Sequence, residues 1–167
     1  MQLETKRLLL LPLDEVQIKN WTENIPALEQ ALCCAYDGER MEGVFLQIVR
    51  EQAEKVRKDR ENWLFHTFWL LLRKEDRTVV GAVDFKAPPD KDGAVEIGYG
   101  LNAAYEHNGY MTEAVEAMCG WAFAQPGVRT ILAEAERENG ASQRVLQRCA
   151  FRLYREAETL WWKRIKT

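Results

Sequence analysis

The segment Ala94-Val95-Glu96-Ile97-Gly98-Tyr99-Gly100-Leu101 sets one carboxylate on a nearly bare strand face. Side chains alternate faces along a strand. Val95, Ile97, Tyr99 and Leu101 therefore share an apolar face, and Ala94, Glu96, Gly98 and Gly100 share the other. A carboxylate beside two missing side chains marks a place where another molecule can reach the backbone. A surface strand with a solvated glutamate fits this segment equally well. Downstream, Asn108-Gly109 precedes a helix that starts near Tyr110. The first-turn N–H groups of Tyr110, Met111 and Thr112 have no intrahelical partner, and the helix dipole is positive there. That combination suits an anion such as a pyrophosphate.

These groups need elements to hold them. Arg7–Leu13 reads as a buried strand. Pro26–Tyr36 and Met41–Arg60 read as helices, the second with Val44, Phe45, Ile48, Val49, Ala53 and Val56 on one stripe. Leu64–Arg73 and Thr78–Phe85 read as central strands joined by a turn at Glu75-Asp76-Arg77, and Ala94–Leu101 as a third. A helix over about Tyr110–Gln125 ends at Pro126-Gly127. The strand Thr130–Ala135, the helix Ala141–Cys149 and the strands Arg152–Glu156 and Leu160–Ile165 complete the order. Antiparallel strands followed by βαβα predict an α/β domain with a mixed, mainly antiparallel sheet and helices on both faces. The third strand should run parallel to Thr130–Ala135, because a helix joins them.

The 167 residues suit one domain, and 47% hydrophobic content excludes a disordered chain. No apolar run is long enough to span a bilayer. The first residues lack a signal-peptide layout, so a cytoplasmic location is expected. Residues 1–90 carry 13 basic and 16 acidic side chains, and residues 91–167 carry 10 and 10. Nucleic acid is therefore not expected as the main partner. Cys33, Cys34, Cys119 and Cys149 have poor metal-ligand spacing and are expected as reduced, mostly packed thiols; no metal site is expected.

The stretch from Glu96 to Leu101 together with Tyr105-Glu106-His107-Asn108-Gly109-Tyr110-Met111-Thr112-Glu113-Ala114 resembles the acetyl-CoA-binding motif of the GCN5-related N-acetyltransferase (GNAT) family. Asn139-Gly140-Ala141-Ser142, running on to Ala150-Phe151, resembles the family's late helix. Leu3-Glu4-Thr5-Lys6-Arg7-Leu8-Leu9-Leu10 is similar to the first strand of the branch that acetylates ribosomal-protein N-termini. The resemblance covers residues 3–165. Where Arg or Gln is usual in the phosphate loop this chain has Glu106, and where Gly or Ala is usual it has Met111. A carboxylate at Glu106 would oppose pyrophosphate by about 1 kcal/mol at 4 Å in water. Residues 102–113 contain no Lys or Arg, so positive charge must come from elsewhere, with Arg137, Arg144 and Arg148 available.

The resemblance implies an acetyl-CoA-dependent N-acetyltransferase that passes acetyl directly to a primary amine in a ternary complex. The acceptor would be a protein N-terminus first, or a small-molecule amine. A domain of the same fold that only binds acyl-CoA or a protein is the rival reading. The amine must be neutral to attack. At pH 7 that costs about 4.6 kcal/mol for a lysine side chain and about 1.4 kcal/mol for an α-amine. Glu96 is the expected base. Relatives often place a tyrosine at the position held here by Leu146, so Ser142 is the expected hydrogen-bond donor to the leaving sulfur, with helix capping as the plain alternative and Tyr154 as a second donor. Leu101, Asn108, Gly109, Tyr110, Met111, Thr112, Asn139 and Arg144 are the expected cofactor-binding residues. His107 is expected to face solvent or a phosphate, and His66 to be structural, midway along a strand. Trp63, Trp161 and Trp162 are aromatic candidates for an acceptor pocket, with core packing expected for at least one of the adjacent pair, whose side chains should point to opposite faces. A homodimer through the last strands is one arrangement left open.

Overall fold

A computed structural model describes residues 1–167. A short strand β1 (Leu3–Glu4) and β2 (Leu8–Pro12) lead into three helices, α1 (Glu15–Glu23), α2 (Ile25–Leu32) and α3 (Gly43–Lys58). A single turn, α4 (Trp63–His66), precedes strands β3 (Phe68–Arg73), β4 (Val79–Phe85) and β5 (Ala94–Leu101). Then follow α5 (Tyr110–Phe123), β6 (Thr130–Ala135), α6 (Gly140–Arg148), β7 (Arg152–Glu156) and β8 (Leu160–Ile165). All eight strands form one sheet in the order β1-β2-β3-β4-β5-β6-β8-β7. Only β5 and β6 pair in parallel, so the mixed, mainly antiparallel sheet expected from the sequence is present.

Two cores cover the sheet. The larger lies under α5 and α6 and takes Leu8, Leu10, Trp69, Leu71, Val95 and Ile97 from the strands. The smaller lies under α1, α2 and α3 and takes Phe68, Leu70, Leu72 and Val79. β3 feeds both because its alternate side chains go to opposite faces, which is why it reads as continuously apolar.

Three sequence expectations change. α1 lies where no helix was expected; its signal is a capping box, in which Asp14 accepts from the Gln17 N–H and Gln17 reaches back to the Asp14 N–H. The strand expected over Leu64–Arg73 starts only at Phe68. The Thr67 N–H bonds to the Trp63 carbonyl, Trp69 Nε1 donates to the Leu64 carbonyl, and Gln52 donates to the His66 carbonyl, and together these close a helical turn. His66 therefore sits on α4 rather than midway along a strand, with Nε2 at 2.9 Å from Asp59. Finally, the apolar stripe of α3 is only partly covered. Val49 and Val56 are buried, whereas Val44, Phe45 and Ile48 are exposed.

Candidate active site

The site begins where two strands part. β5 and β6 pair from Ala94–Thr130 to Ile97–Ala133 and no further, while β5 continues to Leu101 alongside β4. The Lys86 N–H bonds to the Glu96 carbonyl and the Asn102 N–H to the Val80 carbonyl, so residues 96 and 102 aim their polar groups at β4. By the two-residue period of a strand, the N–H and C=O groups of Tyr99 and Leu101 aim into the gap on the β6 side. This is an opening with hydrogen-bonding backbone on its wall.

The next wall is the start of α5. Gly109 caps it at φ 79°, a left-handed conformation that suits glycine. No side chain caps this end, so the first-turn N–H groups remain available. Thr112 Oγ1 is buried and has no hydrogen-bond partner in the protein. The loop is braced from β2's side of the sheet: Arg7 donates to the Asn108 carbonyl at 2.8 Å and to Glu113 at 2.9 Å, and its guanidinium lies 4.5 Å from the Tyr110 ring centroid. α6 supplies the third wall. Asn139 caps it by accepting from the Ser142 N–H at 3.0 Å. The Ser142 hydroxyl is therefore not the cap, and it lies 2.8 Å from the Tyr99 hydroxyl. Burial pushes the Tyr99 phenol up to about 12, so it keeps its proton at neutral pH.

Together these walls enclose a cleft of about 200 Å³, lined by Leu101, Gly109, Met111, Thr112, Asn139, Ser142 and Arg144 among others. Glu106, His107 and Arg148 line it too. Of the expected cofactor residues, Asn108 and Tyr110 do not line it. Asn108 shapes the loop by donating to the Tyr105 and Glu106 carbonyls, and the Tyr110 ring is buried in the larger core. Arg137 is held away by the Ala157 carbonyl, leaving Arg144 and Arg148 as the cleft's arginines.

A second cavity of about 770 Å³ opens on the opposite face of β5. Its floor includes Asp84, Lys86, Gly98 and Gly100, and its wall includes Trp21, Tyr36, Phe45 and Phe68. Tyr99, Gly100 and Leu101 line both cavities, so the two meet at the end of β5. A Cβ on Gly100 would meet nothing within 4 Å, so the strand is bare there. At Gly98 a Cβ would come within 2.9 Å of Asp84 Oδ1 and 3.0 Å of Lys86 Nζ, so those side chains fill that space. Asp84 is buried and no protein group hydrogen-bonds its carboxyl. Burial pushes it up to about 6, with Lys86 opposing and Glu96 reinforcing the shift. Glu96 is half-buried and lines neither cavity; burial raises its carboxyl, Lys86 opposes, and Glu134 adds.

The family model for the acetyltransferase (GNAT) domain matches residues 7–152. The chain belongs to the GNAT family. An uncharacterized N-acetyltransferase of Bacillus subtilis (strain 168), YjdG, is 33% identical over 95 residues, which is 56% of this chain and 56% of that one. YnaD of the same organism, also an uncharacterized N-acetyltransferase, is 28% identical over 91% of this chain and 83% of its own. Among solved structures, RimL, a ribosomal L7/L12 α-N-protein acetyltransferase in complex with coenzyme A, superposes with a TM-score of 0.67 at 20% identity, covering 99% and 98% of the two chains. The ribosomal-protein-S5-alanine acetyltransferase of Vibrio fischeri gives 0.67 at 17% identity, covering 99% and 96%. These two likenesses speak to the fold.

A GNAT domain uses acetyl-CoA, and the cleft fits it on its own chemistry. The uncapped α5 amides, Arg144 and Arg148 suit a pyrophosphate, and Thr112, which lines the cleft, carries a buried hydroxyl with no protein partner. Several residues that line or brace these two cavities were missed in the sequence. Tyr99 read as core because it shares a face with Val95 and Ile97. Asp84 read as one residue of a buried strand. Arg7 lies about a hundred positions from the loop it braces. Of the aromatic candidates, Trp162 packs in the larger core, as expected for one of the adjacent pair, Trp63 packs against the smaller, and neither they nor Trp161 line the second cavity. Tyr154 lies on the exposed edge strand β7, outside both cavities.

Proposed function

We propose that this chain is an acetyl-CoA-dependent N-acetyltransferase that acetylates the α-amine of a peptide or protein N-terminus. One observation carries the reading: two cavities of different chemistry meet at Tyr99, Gly100 and Leu101. A thioester laid in one and an amine entering by the other would come together at that point. Bound acetyl-CoA supplies the activated acetyl group; the chain's own residues do the rest. Leu101 and Tyr99 present backbone groups to the pantetheine arm. The α5 amides of Gly109–Thr112 hold the pyrophosphate, with Arg144 and Arg148 offsetting Glu106. Asn139 sets the start of α6 and so the position of Ser142.

Asp84 takes the proton from the acceptor ammonium. It lines the acceptor cavity, it is buried without a hydrogen-bond partner, and its carboxyl titrates at about 6, close to a useful working value. Glu96, the carboxylate expected from the strand pattern, acts through its charge, which raises Asp84. On the other side, the Tyr99–Ser142 hydroxyl pair donates to the sulfur as its bond to acetyl breaks. A phenol at about 12 stabilises a thiolate by hydrogen bonding rather than by losing its proton to it. The L7/L12 enzyme is an α-N-protein acetyltransferase, and the large second cavity supports an acceptor bigger than a bare amine. The test is calorimetry with CoA followed by a thiol-release assay on peptide acceptors. Micromolar CoA binding with turnover supports the reading; CoA binding with no turnover on any amine would leave an acyl-CoA-binding domain.

A further inference from the structure

The second cavity has a composition that the transfer chemistry does not require. Trp21, Phe45 and Phe68 form an edge-to-face cluster, with centroids 6.0 Å apart for Trp21–Phe45, 5.4 Å for Trp21–Phe68 and 5.9 Å for Phe45–Phe68. The cluster is fixed in place: Trp21 Nε1 donates to the Tyr36 hydroxyl at 3.0 Å, and Phe68 is buried in the smaller core. Yet Phe45 is 46% exposed and Ile48 is 39% exposed, both on the cavity wall. They are the upper part of an amphipathic stripe whose lower part, Val49 and Val56, is covered by the protein itself. Phe45 and Ile48, seated on the buried Trp21 and Phe68, leave apolar surface open to solvent, which a ligand with its own apolar surface would cover.

The charges are asymmetric as well. Asp37, Glu39, Glu42 and Asp84 line the cavity, against Arg40 and Lys86. Carboxylates attract an ammonium and repel a second carboxylate. Resting on the acetyltransferase reading, we infer that the acceptor is an α-amine beside a large apolar side chain, with its carboxyl masked as an amide. The amine sits over Gly100 beside Asp84, the side chain lies on Phe45 and Ile48 above the buried Trp21 and Phe68, and the masked carbonyl faces the acidic segment Asp37–Glu42. A peptide beginning with a bulky apolar residue has this chemistry. The exchange balances with acetyl-CoA alone: the acceptor ammonium gives one proton to Asp84, the neutral nitrogen takes acetyl as the C–S bond breaks, and the second proton that nitrogen sheds goes to the departing sulfur, so CoA leaves as the thiol.

The test measures kcat/KM by thiol release at saturating acetyl-CoA for phenylalanine amide, leucine amide, glycine amide, free phenylalanine, Nα-acetyl-lysine amide and spermidine. Phenylalanine and leucine amides should exceed glycine amide by about 10–200-fold, the range a hydrophobic pocket supplies, and should exceed free phenylalanine because the cavity's carboxylates repel its own. Phe45→Ala should shrink the phenylalanine-to-glycine ratio by about tenfold or more. Val44→Ala, an exposed neighbour that does not line the cavity, should leave the ratio unchanged. Preference for spermidine, the lysine side chain or the free amino acid overturns the inference, as does a ratio that Phe45→Ala does not move. Calorimetry of phenylalanine amide on the full chain with CoA separates the two readings. Binding that Phe45→Ala weakens, without turnover of any amine, supports the pocket and refutes the enzyme. Turnover without apolar preference refutes the pocket and keeps the enzyme.

Discussion

Replacing Asp84 with asparagine should cost activity and add stability, a pairing that a merely structural carboxylate does not give. The amide keeps the shape and removes the charge. At pH 7 an α-amine with a pKa near 8 is about one-tenth neutral, and a base that takes the proton in the transition state adds about 10²–10⁴-fold. The variant's kcat/KM should fall by about that factor, with acetyl-CoA affinity nearly unchanged, because Asp84 does not line the cofactor cleft. The pH profile is the sharper readout. The carboxyl sits at about 6 in the fold against an ordinary 3.8. Wild-type kcat/KM should therefore drop below about pH 6 as the base is protonated, and this limb should vanish in Asp84→Asn. Stability follows from the same shift. The folded carboxyl binds its proton more tightly than the unfolded one, so this group's contribution to stability is fully present below about pH 4 and is lost as pH rises through about 6. Above that, the buried charge costs about 3 kcal/mol. Asp84→Asn relieves it, and thermal unfolding at pH 7.5 should show a Tm higher by several degrees. A variant with a near-wild-type rate and an intact acid limb would refute Asp84 as the base. Loss of the limb in Glu96→Gln but not in Asp84→Asn would return that role to Glu96.

Tyr99→Phe and Ser142→Ala should each lower kcat by about tenfold or more, with KM for acetyl-CoA little changed; unaltered single-turnover rates would show that the pair only packs. Gly100→Leu should abolish turnover while leaving the melting temperature near that of wild type, since the site of its Cβ is open, and continued turnover would mean the two cavities do not meet functionally. Arg7→Ala removes the brace on the Asn108 carbonyl and the guanidinium partner of Glu113, which keeps the Thr5 hydroxyl and the residue-7 N–H, so calorimetry should show weaker CoA binding and unfolding a loss of about 1–3 kcal/mol. Arg144→Ala should weaken CoA binding and flatten its salt dependence, and an unchanged salt slope would place the phosphates elsewhere.

The strand face of Glu96, Gly98 and Gly100, the glycine before α5 and the asparagine cap of α6 were legible because each depends on residues close in sequence. Alternation sorts β5 into two faces, a left-handed cap favours glycine, and Asn139 needs only the Ser142 amide three residues on. The parallel pairing of β5 with β6 was legible for a related reason, since a helical crossover leaves few other arrangements. Periodicity says which face a side chain takes but not what lies across from it. Nothing in Val79–Phe85 announces that Asp84 registers against Gly98, whose missing side chain gives the carboxyl its space. Nor does the sequence say that pairing stops at Ile97, and without that stop there is no cleft. Tyr99 belongs to the apolar face by pattern, yet it reaches the cleft because α6 brings Ser142 to it from 43 positions away. Local sequence therefore determined the elements and their faces. Register, strand splay and the packing of α1 and α3 over the sheet decided which of those side chains surround the reaction point.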